Sequence, residues 1–535
     1  MIYRSPYQSV EVPDVTLASY VMRRVNADAD KTAIACGITG RSYTYAALMD
    51  AMHSVAAGLH ARGVRKGDVV GLVSPNIPEF AAIFYGITLL GAVCSTVNPI
   101  ATAEEIGAQF ADSEAVVIVT VASMAEKCQT AARLASSVRE IYAIGVTDAL
   151  GVVPFDELLQ HGAVPPDVSI DTAHDVAVLP YSSGTSGIPK GVMLTHRNLV
   201  ANLAQIQSVD MVRSTDTMLG VLPFFHIYGM VVIMGGALAI GATLISIPRF
   251  ELESFLQVLQ DQRVTLANVV PPIVLALAKH PMVDRFDLSA MRLLFSGAAP
   301  LSKTLAQACA DRLHVTVRQG YGLTETSPVT HTHPIDSDIV KLDSVGPPVA
   351  NTECRLVEPG TDVDVAAGER GELWIRGPQV MKGYFKKPEA TAMCMTADGW
   401  FKTGDVAMVD SNGWFAIVDR VKELIKYKGM QVAPAELEAV LLSHPEISDA
   451  AVIPVTDDEA GEIPKAFVVM KSPLSASDVI AYVAARVSPY KKVRQVEFVD
   501  SIPKSPSGKI LRRILVEQEK ARARVPLALE HSARP

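Results

Sequence analysis

Short apolar runs rich in β-branched residues recur along the first half of the chain, and helical stretches lie between them. Val69–Val73, Ala115–Val121, Val176–Leu179, Thr243–Ile247 and Leu266–Val270 each have the length and composition of one buried strand. Between Tyr45 and Val64, Leu48, Met52, Val55 and Leu59 recur at helical spacing, and Ser254–Arg263 and Thr304–Leu313 read as further helices. Strands alternating with helices predict an α/β architecture with largely parallel sheets. From Gly371 the texture changes to GELWIRG and WFAIVDR, alternating strands with Gly turns that predict a small antiparallel or barrel-like unit. Beyond Asp419-Arg420 it changes again. Helices at Pro434–Leu442 and Ala476–Arg486 and strands at Ala450–Pro454 and Ala466–Met470 predict a compact α+β domain. The expected division is a large multi-subdomain N-terminal domain over 1–418, a hinge over 419–424 and a small mobile C-terminal domain over 425–535. The boundary lacks a Gly/Ser linker, which suits a short hinge better than a loose tether.

The 535 residues carry 48 Lys+Arg against 57 Asp+Glu, a net charge of −9, which argues against a general nucleic-acid binder. A hydrophobic share of 49% excludes a disordered chain. The six cysteines are scattered with no CxxC pair, so they read as reduced packing residues. Gly229–Ile247 is 19 residues without a charge, long enough on hydropathy for a membrane span. Its four glycines and its β-branched end before Pro248 favour a buried helix followed by a buried strand. The N-terminus has no apolar signal core, and the final SARP matches no peroxisomal or prenyl address. The expectation is a cytoplasmic protein with no integral membrane segment, its oligomeric state open.

The strongest local signal is YSSGTSGIPKG at 181–191, following the apolar run Val176–Leu179. Small hydroxylated and Gly residues let backbone N–H groups approach an anion, and Lys190 adds a point charge. No Ser or Thr follows the lysine, so this is not the GxxxxGK[ST] loop. A solvated Ser/Gly turn is the bland alternative.

The stretch SSGTSGIPKG resembles the phosphate loop of the adenylate-forming superfamily of acyl-CoA synthetases, adenylation domains and firefly-type luciferases. PFFHIYG at 223–229, SGAAPL at 296–301, QGYGLTE at 319–325, GELWIRG at 371–377, FKTGD at 401–405, DRVKELIKYKGMQVAP at 419–434 and PKSPSGKILRR at 503–513 follow in that family's order. The likeness is nearest to 4-coumarate–CoA ligase-like and fatty acyl-CoA synthetases. It implies ATP or AMP contacts at Ser182, Ser183, Gly184, Thr185, Ser186, Lys190, Gln319, Gly320, Tyr321, Thr324, Asp405, Arg420, Lys422, Lys426 and Lys509. Within these, it gives Tyr321 adenine stacking, Thr324 the α-phosphate and Asp405 the ribose hydroxyls, and it gives Glu325 a Mg²⁺ ion that enters with ATP. Standing alone, Asp405 would read as a turn residue and Glu325 as a surface charge.

A lone histidine in an apolar stretch is more often a satisfied core residue than a catalyst, but the resemblance places His226 at the acyl pocket near the reacting carboxylate. It lines that pocket further with Tyr228, Val232, Ala298, Gly320, Pro328 and Val329. The basic run Lys422–Lys428 would otherwise be an exposed charged face. The resemblance assigns turnover roles to Lys426 and Gln431, CoA contacts to Arg249, Lys428 and Gly429, and adenylation to Lys509, which otherwise reads as one more cation in a basic tail.

A carboxylate oxygen is already a nucleophile, so adenylation needs in-line positioning and charge neutralisation instead of an acid–base pair. The expected activity is acid + ATP + CoA to acyl-CoA + AMP + diphosphate through an acyl-adenylate. A stand-alone adenylation enzyme loading a carrier protein, a luciferase-like oxygenase and a catalytically silent nucleotide binder are the alternatives. Two positions depart from plant coumarate ligases: Trp374 replaces the Cys of their GEICIRG signature, and Val232 replaces a polar pocket residue. The expected acid is therefore fatty or weakly substituted aryl.

Overall fold

Val69–Val73 is buried along its whole length, as a strand covered on both faces must be. The computed structural model describes residues 1–182, 189–334, 341–428, 430–457, 459–505 and 508–530. Parallel strands Val93–Val97 and Ala115–Val121 flank Val69–Val73 within a nine-stranded sheet. The helix Tyr45–Ala61 is capped by Thr44, whose hydroxyl accepts from the Ala47 amide, and Pro78–Leu89 opens on a proline, which its first turn tolerates. At one edge the sheet turns antiparallel. Lys190–Thr195 pairs with Val176–Val178, with Tyr181–Ser182 and with the two-residue strand Gly383–Tyr384. A strand therefore follows Lys190 where a P-loop would have a helix.

The second sheet has eight strands with a parallel centre, Leu266–Val269, Leu293–Ser296 and Thr316–Gly322 running side by side. Gly229–Ile247 is buried as its glycines and β-branched end predict. A π-helix over Tyr228–Gly235 passes into the α-helix Gly236–Ile240, ends at Gly241 with φ +86°, and leads to the strand Thr243–Ser246. Among the described residues no helix is long and apolar enough to cross a membrane.

The third sheet, a curled half-barrel, is antiparallel throughout and joins Glu353–Val357, Gly371–Arg376, Phe401–Val409 and Phe415–Arg420. Its outer strand is Tyr3–Arg4, which the sequence does not announce because two residues carry no periodicity.

The C-terminal unit is built on the long antiparallel pair Ile447–Asp457 and Gly461–Met470. Both strands exceed their sequence-predicted lengths, because Pro454 and Pro464 read as breakers yet fall opposite each other at one register position. Asp419 stands within Phe415–Arg420, opposite Val406. Its carboxylate accepts from the Arg420 amide at 2.7 Å and from the Ala435 amide at 2.9 Å. The second bond caps the helix Pro434–Leu442, whose own cap residue Ala433 supplies no side-chain bond.

Candidate active site

The parallel strand Thr316–Gly322 delivers Gln319, Gly320 and Tyr321 to the C-terminal edge of the second sheet, where ligands of α/β folds bind. A side chain at Gly320 would start 2.8 Å from the Phe295 ring and 2.9 Å from the His331 carbonyl, so the strand passes here only as glycine. Gln319 donates to the Leu342 carbonyl at 2.5 Å. The Tyr321 hydroxyl donates to Asp405 Oδ2 at 2.5 Å, and Arg420 Nε lies 3.3 Å from Oδ1 of the same carboxylate. Two sheets thus meet through one buried carboxylate. Burial lifts the Asp405 pKa, while Arg420, the Tyr321 hydroxyl and Lys509 hold it down.

Glu325 lies in the short turn Thr324–Thr326 and is buried. Its Oε1 accepts from the Tyr384 hydroxyl at 2.9 Å, and its carbonyl accepts from the Met381 amide at 2.8 Å. Lys190 Nζ stands 5.0 Å above the centre of the Tyr384 ring, so the phosphate-loop lysine and Glu325 share one aromatic neighbour. Among the described residues no cluster of three or more His, Cys, Asp or Glu could hold a metal ion alone. A single buried carboxylate fits Mg²⁺, which usually comes with substrate phosphates and keeps most of its ligands from them and from water.

Beside this site is a cavity of about 60 Å³ lined by Val209, Tyr228, Val232, Phe295, Ala298 and Val329, with His226, Tyr321, Thr324 and Lys509 also in its lining. Gly320 and Pro328 also line it. Ala298 holds φ +68°, a left-handed conformation uncommon outside glycine that marks strain at the wall. The Tyr228 hydroxyl is engaged with Asn268 at 3.3 Å and the Phe295 carbonyl at 3.4 Å. His226 accepts the Tyr228 amide at Nδ1, which leaves its proton on Nε2. Burial, then the Lys509 charge, push the His226 pKa down to about 3, so the imidazole is neutral.

Lys509 reaches this cavity from the C-terminal unit. Gly508, with φ +77°, turns the chain against the Pro272 side chain, where a Cβ would sit 3.4 Å away. Burial and then Arg420 lower the Lys509 pKa, while Asp405, Glu325 and Glu423 oppose them. Other predicted residues stand apart from the cavity. Lys426 and Gln431 pair across the exposed hairpin Ile425–Tyr427 and Met430–Val432. Lys428 is exposed and ion-paired with Glu459, and Lys422 and Arg249 are exposed. Ser182 is half-buried opposite Lys190. Ser183, Gly184, Thr185, Ser186 and Gly429 lie outside the described residues.

Two contributors carried no sequence signal. Tyr384 sits in a two-residue strand between motifs. Asn202, inside the helix His196–Gln207, clamps the pocket residue Val329 by donating to its carbonyl at 2.7 Å and accepting its amide at 3.0 Å. Only the packing of that helix on Val329–Thr332 exposes the role.

A buried carboxylate shared by a tyrosine and an arginine, a buried glutamate, and a lysine brought from the C-terminal unit to a largely apolar cavity lie close together, in a chain that is similar along its length to adenylate-forming enzymes. The model of the AMP-binding enzyme family matches residues 21–385, and that of the AMP-binding enzyme C-terminal domain matches 436–509. A 4-coumarate–CoA ligase of Solanum tuberosum is 41% identical over 96% of both chains. That of Pinus taeda is 42% identical over 96% of this chain and 97% of its own. ATP-bound MatB from Rhodopseudomonas palustris superposes with a TM-score of 0.85 at 28% identity, over 95% of this chain and 99% of that one. Its apo form gives 0.76 over the same shares. A Mycobacterium tuberculosis fatty acyl CoA synthetase gives 0.74 at 31% identity, over 95% and 98%. The chain belongs to the AMP-binding enzyme family of the adenylate-forming superfamily and is an acid–thiol ligase.

Proposed function

We propose that this ligase activates an apolar aryl or fatty acid as its acyl-adenylate and transfers the acyl group to CoA, in the cytoplasm. The observation that carries the reading is Lys509, from the C-terminal unit, in the lining of the largely apolar cavity together with His226 and Thr324 and close enough to act on His226 by its charge. There its ammonium faces the charge that develops as the acid oxygen attacks the α-phosphorus and diphosphate leaves. Neutral His226 lines the same cavity and adds no second positive charge. Glu325 would hold Mg²⁺ together with the nucleotide phosphates, and the ion would supply charge neutralisation for the departing diphosphate. Tyr321, Asp405 and Arg420 hold the nucleoside, and the CoA sulfur then attacks the acyl carbonyl carbon and expels AMP.

The second step is assigned to the exposed groups Lys426, Gln431, Lys428 and Arg249, with Gly429, after the unit beyond residues 419–424 turns relative to residues 1–418. The higher TM-score against ATP-bound than against apo MatB supports reading the present arrangement as the adenylating one. The names of the relatives support an aryl acid, and that of the mycobacterial structure a fatty one.

Val232 offers no hydrogen bond and the Tyr228 hydroxyl is already engaged, so an added substrate hydroxyl buried here would cost ~1–3 kcal/mol. An adenylate trap read by mass spectrometry against a panel of acids is expected to favour octanoate or cinnamate over caffeate. A higher kcat/KM for caffeate than for both would reject the acid class. Diphosphate release without CoA-dependent thioester would reject the acceptor.

A further inference from the structure

Tyr384 lies outside every motif singled out in the sequence, yet it is the residue on which the phosphate loop lysine and the metal-type glutamate converge. Its hydroxyl donates to Glu325 Oε1 at 2.9 Å, and its ring lies 5.0 Å beneath Lys190 Nζ. Its own backbone is fixed from two other directions. Tyr384 pairs in register with Val192, two residues beyond Lys190, and its amide donates to Thr391 Oγ1 at 2.9 Å. Met381, three residues earlier, holds the Glu325 carbonyl. Residues 381–384 thus fix both the main chain and the side chain of Glu325 relative to the strand that begins at Lys190.

Tyr384 is 7% exposed, so its hydroxyl is shielded from competing water. A carboxylate has two oxygens; a fixed donor on one turns the other in a set direction, as the outer partners of metal-binding carboxylates do.

We propose that Tyr384 is a positioning residue that aims the Glu325 carboxylate at the divalent cation of the bound nucleotide and sets its spacing from Lys190. This rests on the reading of Glu325 as the metal contact. The hydroxyl matters to the cation, and the ring to Lys190, so the two parts of one side chain separate by substitution.

The test is Mn²⁺ binding, followed by electron paramagnetic resonance on full-length protein with saturating α,β-methylene-ATP, set beside AMP binding in EDTA. Tyr384→Phe keeps the ring and is expected to weaken Mn²⁺ about tenfold or more, the size of one lost hydrogen bond to a charged group. AMP affinity in EDTA, which also certifies a folded site, is expected to stay within about twofold, and high Mg²⁺ to restore most of kcat. Unchanged Mn²⁺ affinity, or equal loss of Mn²⁺ and metal-free AMP binding, overturns the proposal. If Tyr384→Phe does not fold, Thr391→Val decides. It removes the acceptor of the Tyr384 amide and is expected to give a smaller Mn²⁺-selective loss of about two- to threefold; no selective loss overturns the proposal. Glu325→Gln separates the underlying reading. If it leaves Mn²⁺ affinity intact, Glu325 is not the metal contact. If it weakens Mn²⁺ while Tyr384→Phe does not, only the role given to Tyr384 fails. If both weaken it, the double variant is expected to be no worse than Glu325→Gln alone, because the hydroxyl acts through that carboxylate.

Discussion

The region before Arg420 and the unit after it hold their polar groups in different ways. In the first, Glu325 and Asp405 are buried with settled partners, and His331 and His333 are fully enclosed. In the second, Lys426, Gln431 and Lys428 stand in solvent, and among the unit's described residues Lys509 alone lines the cavity. Fixed, desolvated groups act on charge without reorganising, which suits the nucleotide- and acid-holding role proposed for the first region. Displayed groups have to be carried to their substrate, which suits the turning proposed for the second. The buried cap that Asp419 places on the helix Pro434–Leu442 ties the end of the strand Phe415–Arg420 to that helix.

Acid should separate the two regions most sharply. Burial lowers His331 to about 3 and both His333 and His196 to about 4, from an ordinary 6.5. The unfolded chain binds protons at these sites that the folded chain refuses, so their stability contribution is complete above ~6.5 and is lost as pH falls toward the folded values. Between pH 7 and 5.5 the loss is about 1 kcal/mol each, roughly 3 kcal/mol together. Burial raises Glu438, so this group gives the C-terminal unit no matching loss on acidification. Hydrogen exchange at the two pH values should show faster opening in the large region; equal opening in both removes the distinction.

Lys509→Ala should lower acyl-AMP formation ~10²-fold or more, the size of a lost electrostatic donor. Thioester formation from supplied acyl-AMP should stay within a few-fold. Single-turnover assays of each half-reaction check this, and equal damage to both would make Lys509 structural. Lys426→Ala should invert that pattern, leaving adenylation intact and slowing thioester formation about tenfold, as for one hydrogen bond to a charged group. Parallel loss of adenylation would place Lys426 in the first step. The smallest effect belongs to Lys428→Ala. Its partner Glu459 is itself 85% exposed, so the pair is screened, and KM for CoA should rise by no more than about threefold.

Much of this was legible in the chain itself. The β-branched runs at Val69–Val73 and Ala115–Val121 became strands with those same bounds, because a strand buried on both faces must be apolar at every position. The motif residues Tyr321, Asp405 and Lys509 could be named only because the motifs around them resemble those of a known superfamily in the same order; standing alone, Asp405 reads as a turn residue and Lys509 as a cation in a basic tail. Strand 447–457 was underestimated because a proline stops a local reading, whereas pairing with a second proline is decided across the sheet.

What the sequence by itself determined is the α/β class and the C-terminal unit, since those follow from periodicity and composition along one line of chain; the site residues came from the resemblance of its motifs to a known superfamily. Only the tertiary structure decided that Tyr384 joins Glu325 to Lys190, that Asn202 clamps Val329, and that Asp405 is shared by Tyr321 and Arg420. These contacts link residues from 15 to 194 positions apart in the numbering. A single tyrosine or asparagine has no periodicity to reveal it; its meaning comes from the partner that folding places within hydrogen-bond reach.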